Sequence, residues 1–430
     1  MKNKQPGSAN VMAIMGLLFF VFGFVTWLNG PLITYVKLAF ELDSDSKAFM
    51  VTTAFYMAYF FLALPSSWIL EKTGMKKGMS LGLLVMAIGT FIFGQFATHR
   101  NYPMSLTGLF VIGSGLSLLQ TASNPYLSII GPIESAARRI SIVGICNKVA
   151  GIISPMLISG LILKGVTTLE DKVKATTDAA QRNVILDEFS QKIYIPYLCM
   201  SVLLLILAAW ILKSSLPEVK ASEQNKQTST DGSEKNSLFQ FPHLWLGALC
   251  IFVYVGVEVM AGDAIGTYGK GFHIPTEETK YFTSYTLAAM LLGYLIGLFT
   301  IPKYISQQAA LKYSAILGIC FSGAAFVSSG YVSVFFVAML GLANATMWPA
   351  IFPLAINGLG KFTEKGSAIL IMGIAGGAII PKLFASLKEV YHFQAVFFVL
   401  MATCYLFILY FAVKGYKTGQ KQLTLEPQYT

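Results

Sequence analysis

Apolar residues in this chain gather into runs of about twenty, divided by short polar stretches: 11–29, 48–70, 78–97, 105–130, 139–163, 193–212, 244–267, 281–301, 309–329, 331–356, 366–386 and 394–413. About twenty residues is the length that carries an α-helix across roughly 30 Å of hydrocarbon. Each run therefore predicts a membrane-spanning helix, and twelve such helices return both chain ends to one side. The first run is too long for a signal-peptide core and no small-residue cleavage site follows it, so it is read as a retained helix.

Composition agrees. Of 430 residues, 55% are hydrophobic and only 12% charged, against about 25% charged in soluble domains. The class predicted is an all-α polytopic membrane protein. A formal charge of +10 does not signal nucleic acid, because the basic residues occupy short loops rather than one amphipathic face. "EKTGMKKG" (71–78), "ARR" (137–139), "GKFTEKG" (360–366) and "KGYKTGQK" (414–421) fall on the side of the termini. Lys and Arg collect in cytoplasmic loops, which predicts cytoplasmic termini; the membrane expected is a plasma membrane, of the bacterial inner-membrane kind.

One long cytoplasmic stretch is polar, "KSSLPEVKASEQNKQTSTDGSEKNSLFQ", and reads as a flexible linker. It divides the chain into a six-helix half (1–212), a linker (213–243) and a second six-helix half (244–430). The halves match weakly at a nearly constant offset. "LQTASNPYLSIIG" of helix 4 aligns with "ANATMWPAIFPLA" of helix 10, setting Pro125 opposite Pro349 and Gln120 opposite Asn344. "RISIVGICNKVAGIISP" of helix 5 aligns with "KGSAILIMGIAGGAIIP" of helix 11, and Asn29 falls opposite Glu258. Two parallel six-helix pseudo-repeats are the organisation of the major facilitator fold, whose substrates bind between the halves near mid-membrane.

Polar groups inside the runs carry the candidate chemistry. A charge at mid-bilayer costs about 2.5–3.5 kcal/mol on insertion scales, so such residues are expected to face a cavity or a partner. Gln120 and Asn124 are four apart on helix 4, as Asn344 and Trp348 are on helix 10; each pair shares a helical face. Amides supply both donors and acceptors, and an indole packs on the apolar face of a sugar ring. With Asn29 and Asn147 these residues form the predicted substrate-binding set, interhelical hydrogen bonding being the blander account of each amide. Asn29 precedes Gly30 and Pro31, which are read as ending helix 1. Glu258 lies about fourteen residues into helix 7, roughly 21 Å along it, and is the predicted cation-coupling group. Asp263, nearer the outer surface, reads as a solvated helix end or a gating residue. Lys148 either neutralises a carboxylate or snorkels to the cytoplasmic face.

Cys146, Cys199, Cys250, Cys320 and Cys404 all sit in apolar runs without metal-ligand spacing, and the four histidines are scattered at helix ends. No nucleotide-binding loop, zinc-protease or serine-hydrolase motif is present. The sequence supports no metal centre, cofactor, ATP-driven pump or enzyme.

"FGFVTWLNGPLI" (22–33), "LPSSWILEKTGMKKGMSLGL" (64–83), "LLQTASNPYLSIIGPIESAARRISI" (118–142), "FVYVGVE" (252–258) and "MWPAIFPLAINGLGKFTEKGS" (347–367) resemble the fucose/glucose/galactose and hexose symporter branch of the major facilitator superfamily. The likeness covers nearly the whole chain apart from linker and tails. It implies uptake of a monosaccharide by alternating access, driven by Na⁺ or H⁺. The partners expected are a small-molecule sugar and the lipid bilayer, with no nucleic acid, and the expected state is a monomer. Fucose–proton symporters of this branch carry acids in "LND" ending helix 1 and "ETAANP" on helix 4; Gly30 and Gln120 stand at those positions here. The "YVGVE" stretch is similar to glucose/galactose-type members, which implies a hexose or N-acetylhexosamine. A facilitative uniporter and a non-transporting sugar sensor are the alternatives.

Overall fold

The computed structural model describes residues 8–129, 136–217, 237–301 and 303–419. Most of the expected linker, residues 218–236, lies outside them. No strand occurs among the described residues, and twelve helical spans are long and apolar enough to cross a bilayer. The first six are helix 1 (Asn10–Ala39), helix 2 (Asp45–Thr73), helix 3 (Met75–Thr98), helix 4 (Tyr102–Leu127), helix 5 (Arg139–Ile162) and helix 6 (Ala179–Lys213). After the segment 218–236 come helix 7 (Pro242–Gly262), helix 8 (Thr276–Thr300), helix 9 (Gln307–Val327), helix 10 (Gly330–Ile356), helix 11 (Lys365–Leu387) and helix 12 (Phe393–Val413). All twelve predicted runs are therefore spans of a multi-pass membrane protein. The outer faces carry exposed apolar side chains such as Phe61, Leu203 and Phe299; in lipid such a face needs no cover.

Helix 1 corrects the expectation drawn from Gly30 and Pro31. It does not stop there: a first segment, Ser8–Thr26, is followed after two residues by a second, Asn29–Ala39. Pro31 falls in the first turn of the second segment, where its missing N–H is one the helix would have left unbonded. Helix 7 has a related interruption. Its long segment ends at Gly262 and a short helix, Ile265–Lys270, resumes beyond Asp263. Hydroxyls of helix 8 take up the carbonyls freed at that end, Thr286 donating to Ala261 O at 2.7 Å and Thr283 to Gly262 O at 2.8 Å. Helix 10 breaks between Asn344 and Met347, and helix 11 passes through a 3-10 turn at Gly373–Ala375.

Small residues let these helices touch backbone to backbone, as membrane packing requires. A Cβ added to Gly23 of helix 1 would lie 2.2 Å from the carbonyl oxygen of Asn147 on helix 5, and one added to Gly376 of helix 11 would lie 1.8 Å from that of Phe252 on helix 7. The loop 164–192 is itself largely helical, as Val166–Ala175 and Ala179–Gln191. On the face opposite the chain ends, the helix 1–2 connection is tied to helix 11. Asp45 pairs with both Lys37 and Lys388, Ser46 Oγ lies 3.0 Å from Ser386 Oγ, and Lys382 donates to Ser46 Oγ at 2.7 Å.

Candidate substrate cavity and its charged lining

A cavity opens between the first six and the last six spans, with walls from helices 1, 2, 4, 5, 7, 8, 10 and 11. The space within it free of protein atoms, its mouth and the adjoining solvent included, is ≈ 710 Å³. Of the positions singled out from the sequence, Gln120, Asn124, Asn147, Lys148, Glu258 and Trp348 line it. Asn29, Asp263 and Asn344 are buried instead in the packing around it.

Helix 4 presents Gln120 and Asn124 one turn apart. Gln120 Nε2 donates to the Tyr59 hydroxyl at 2.8 Å, and Asn124 Nδ2 donates to the Gln120 carbonyl at 3.1 Å. Asn147 of helix 5 bridges to helix 1: its Oδ1 accepts from Trp27 Nε1 and its Nδ2 donates to Phe19 O, both at 3.4 Å. The Gln120 and Asn147 bonds are the interhelical ones of the blander account and the Asn124 bond stays within helix 4, yet the same amides stand on the cavity wall. Asn344 does not reach it. Its Oδ1 accepts from the Tyr405 hydroxyl at 2.8 Å, while its Nδ2 has no partner.

Lys148 does not snorkel. Its Nζ lies 2.9 Å from Glu258 Oε1, with side-chain exposures of 7% and 12%. The same ammonium sits 4.5 Å from the Trp27 ring centroid and 5.9 Å from that of Tyr294, so two π faces and one carboxylate share its charge. The pair joins helix 5 of the first six spans to helix 7 of the last six. Across the cavity Trp348 stacks on Phe352 at 5.8 Å and leans on Tyr254 at 6.3 Å.

Asp263 is not a solvated helix end. It is 2% exposed, and neither carboxylate oxygen has a hydrogen-bond partner by strict geometry; the N–H of Gly30 and the hydroxyl of Tyr56 face it more loosely. No ion pair forms on it among the described residues. The cause is the meeting of the two interrupted helices. A Cβ on Gly30 would come 3.4 Å from Asp263 Oδ1, and one on Gly262 would come 2.5 Å from the Trp27 ring, so the break in helix 7 is packed against the break in helix 1.

Sequence reasoning passed over Trp27, Tyr56, Tyr59, Tyr254 and Tyr294, all on the cavity wall. Aromatic residues inside apolar runs offer no contrast in polarity. The usable signal was their hydroxyl and indole groups, which require partners when buried. Cys250 and Cys404 are buried, Cys199 and Cys320 face outward, and no cysteine is bridged. Among the described residues no cluster of three or more His, Cys, Asp or Glu side chains is placed to hold a metal ion.

Comparison with known proteins gives the arrangement its context. A glucose/galactose transporter of Brucella abortus is 32% identical over 419 residues, covering 97% of this chain and 96% of its own. The L-fucose-proton symporter of Escherichia coli is 26% identical, covering 88% and 86%. Among solved structures, the Major Facilitator Superfamily transporter FucP in the outward conformation superposes with a TM-score of 0.75 at 24% identity, covering 93% of this chain and 97% of that one. The model of the Major Facilitator Superfamily matches residues 15–381, and with twelve spans enclosing a central cavity the chain belongs to that superfamily.

Proposed function

We propose that the protein is a secondary active transporter that imports a hexose or N-acetylhexosamine by alternating access, driven by a cation gradient. The reading rests on one observation: the cavity between the two sets of six spans combines three amides, two indoles and a buried ion pair. Gln120 and Asn124 serve sugar hydroxyls as donors and acceptors, and Trp348 offers a flat apolar face to the ring. The Lys148–Glu258 pair meets hydroxyls that approach the boundary between the halves. The glucose/galactose transporter of Brucella abortus and the L-fucose-proton symporter of Escherichia coli, both alike over most of their length, support a monosaccharide substrate and cation coupling.

The moving units are 1–212 and 244–430, joined by the segment 213–243. The protein works as a monomer in a bacterial inner membrane with both termini cytoplasmic. Purified protein in proteoliposomes preloaded with sugar is the test. Counterflow of radiolabelled D-glucose, D-galactose or N-acetyl-D-glucosamine, competed by a panel of unlabelled sugars, should single out one class. Sugar binding without counterflow would leave a sensor.

A further inference from the structure

Two carboxylates and one ammonium meet beside the cavity, and the ammonium is already engaged. Lys148 bonds Glu258 at 2.9 Å, which balances one negative charge and leaves Asp263 without a cation. Asp263 is 2% exposed, the neighbouring Asn29 is 1% exposed, and neither Asp263 oxygen has a hydrogen-bond partner of good geometry. An isolated buried carboxylate is strongly disfavoured unless it is neutralised. The cluster as drawn, +1 from Lys148 and −1 from each acid, is one positive charge short.

We propose that Asp263 carries one proton through the transport cycle and is the coupling group, while the Lys148–Glu258 pair remains a fixed neutral contact of the cavity. The inference rests on the transport reading above. A proton neutralises the carboxylate without further ligands, whereas a hard cation needs several oxygen lone pairs around it, and the N–H of Gly30, one of the two groups that face Asp263, offers none. The titratable and charged groups around Asp263 are Tyr56 from helix 2, Glu258 from its own helix, and Lys148 from helix 5 through Glu258. In the state open to the outer face, hydronium gives its proton to an Asp263 oxygen, forming an O–H bond and a neutral carboxyl. With that charge removed the breaks in helices 1 and 7 close dry against each other. In the state open to the cytoplasm, water takes the proton and the carboxylate returns. A sugar that fills the cavity packs against Tyr56 and Glu258, which line it and act on Asp263, so sugar and proton binding favour each other by the same free energy.

Position strengthens the assignment. The backbone of Gly30 packs directly on helices 7 and 8: a Cβ there would lie 2.4 Å from Thr283 Oγ1 and 3.4 Å from Asp263 Oδ1. An acid on the last six spans thus reaches the interruption in the first.

The experiment uses the full chain in proteoliposomes with an imposed pH gradient, an imposed Na⁺ gradient or neither, with counterflow measured in parallel. The wild type is expected to accumulate the sugar chosen by counterflow only under the pH gradient. Asp263→Asn is expected to lose that accumulation while exchange stays measurable. Accumulation by Asp263→Asn equal to wild type, or wild-type accumulation driven by Na⁺ alone, overturns the proposal without touching the transport reading; absence of counterflow in the wild type overturns both. Should Asp263→Asn lose exchange as well, binding in detergent decides. Wild-type sugar affinity should fall about tenfold per pH unit above the carboxyl transition, as one linked proton requires, Asp263→Glu should move that transition, and a pH-independent wild-type affinity would end the proposal.

Discussion

Lys148 Nζ and Glu258 Oε1 lie 2.9 Å apart across the boundary between the first six and the last six spans, with the Trp27 ring 4.5 Å from the same nitrogen. This contact makes the two sets of helices electrostatically dependent on each other at the cavity. Removing one partner of a buried pair strands the other charge, which costs about 3–5 kcal/mol, whereas replacing both is often far milder. Lys148→Met and Glu258→Gln should each lower the apparent melting temperature in detergent. The double variant should recover part of the loss. Additive losses in this cycle would mean that the two side chains do not act as a pair.

Asn124 is expected to contribute to sugar affinity rather than to folding. Its Nδ2 already satisfies the Gln120 carbonyl, and its amide stands on the cavity wall. Asn124→Ala should weaken sugar binding by about 1–3 kcal/mol, the cost of unpaired polar partners, with little change in melting. Isothermal titration of the purified variant reads both the affinity and, from the wild-type comparison, the sugar preference. An unchanged affinity removes Asn124 from the binding set.

Gly376 tests how closely helices 7 and 11 must pack. Its added Cβ would lie 1.8 Å from the Phe252 carbonyl oxygen, a backbone atom that cannot rotate away, whereas a Cβ on Gly160 meets nothing within 4 Å. Overpacking of this kind costs about 1–3 kcal/mol. Gly376→Ala should therefore reduce thermal stability and exchange rate, and Gly160→Ala should leave both near wild type. Equal behaviour of the two variants would show that the helices separate without penalty.

The contacts between the helix 1–2 connection and helix 11 should break and reform once per cycle. Ser46 and Ser386 place their hydroxyls 3.0 Å apart there, beside Asp45 held by Lys37 and Lys388. Ser46→Cys combined with Ser386→Cys, oxidised in the membrane, should abolish exchange. Reductant should restore it. Full exchange by the crosslinked protein, confirmed by mass spectrometry, would place the moving contact elsewhere.

Hydropathy alone determined the twelve spans, because crossing hydrocarbon imposes a length and an apolar content that each run must meet independently of its neighbours. The same rule picked out Gln120, Asn124, Asn147, Lys148 and Glu258, since polar groups in such runs need a cavity or a partner. Which of the two they have depends on the facing helix, and that was decided in three dimensions. Lys148 was an open choice between snorkelling and pairing until helix 7 brought Glu258 beside it. Helix 1 was expected to end at Gly30 and Pro31, yet it runs on to Ala39, because a proline in the first turn of a resumed segment removes no bond. Asp263 was expected to meet solvent, a judgement based on its distance along one helix. Its burial follows from Trp27, Gly30 and Thr283, residues up to 236 positions away in the chain that close around the end of helix 7, and only tertiary packing places them there.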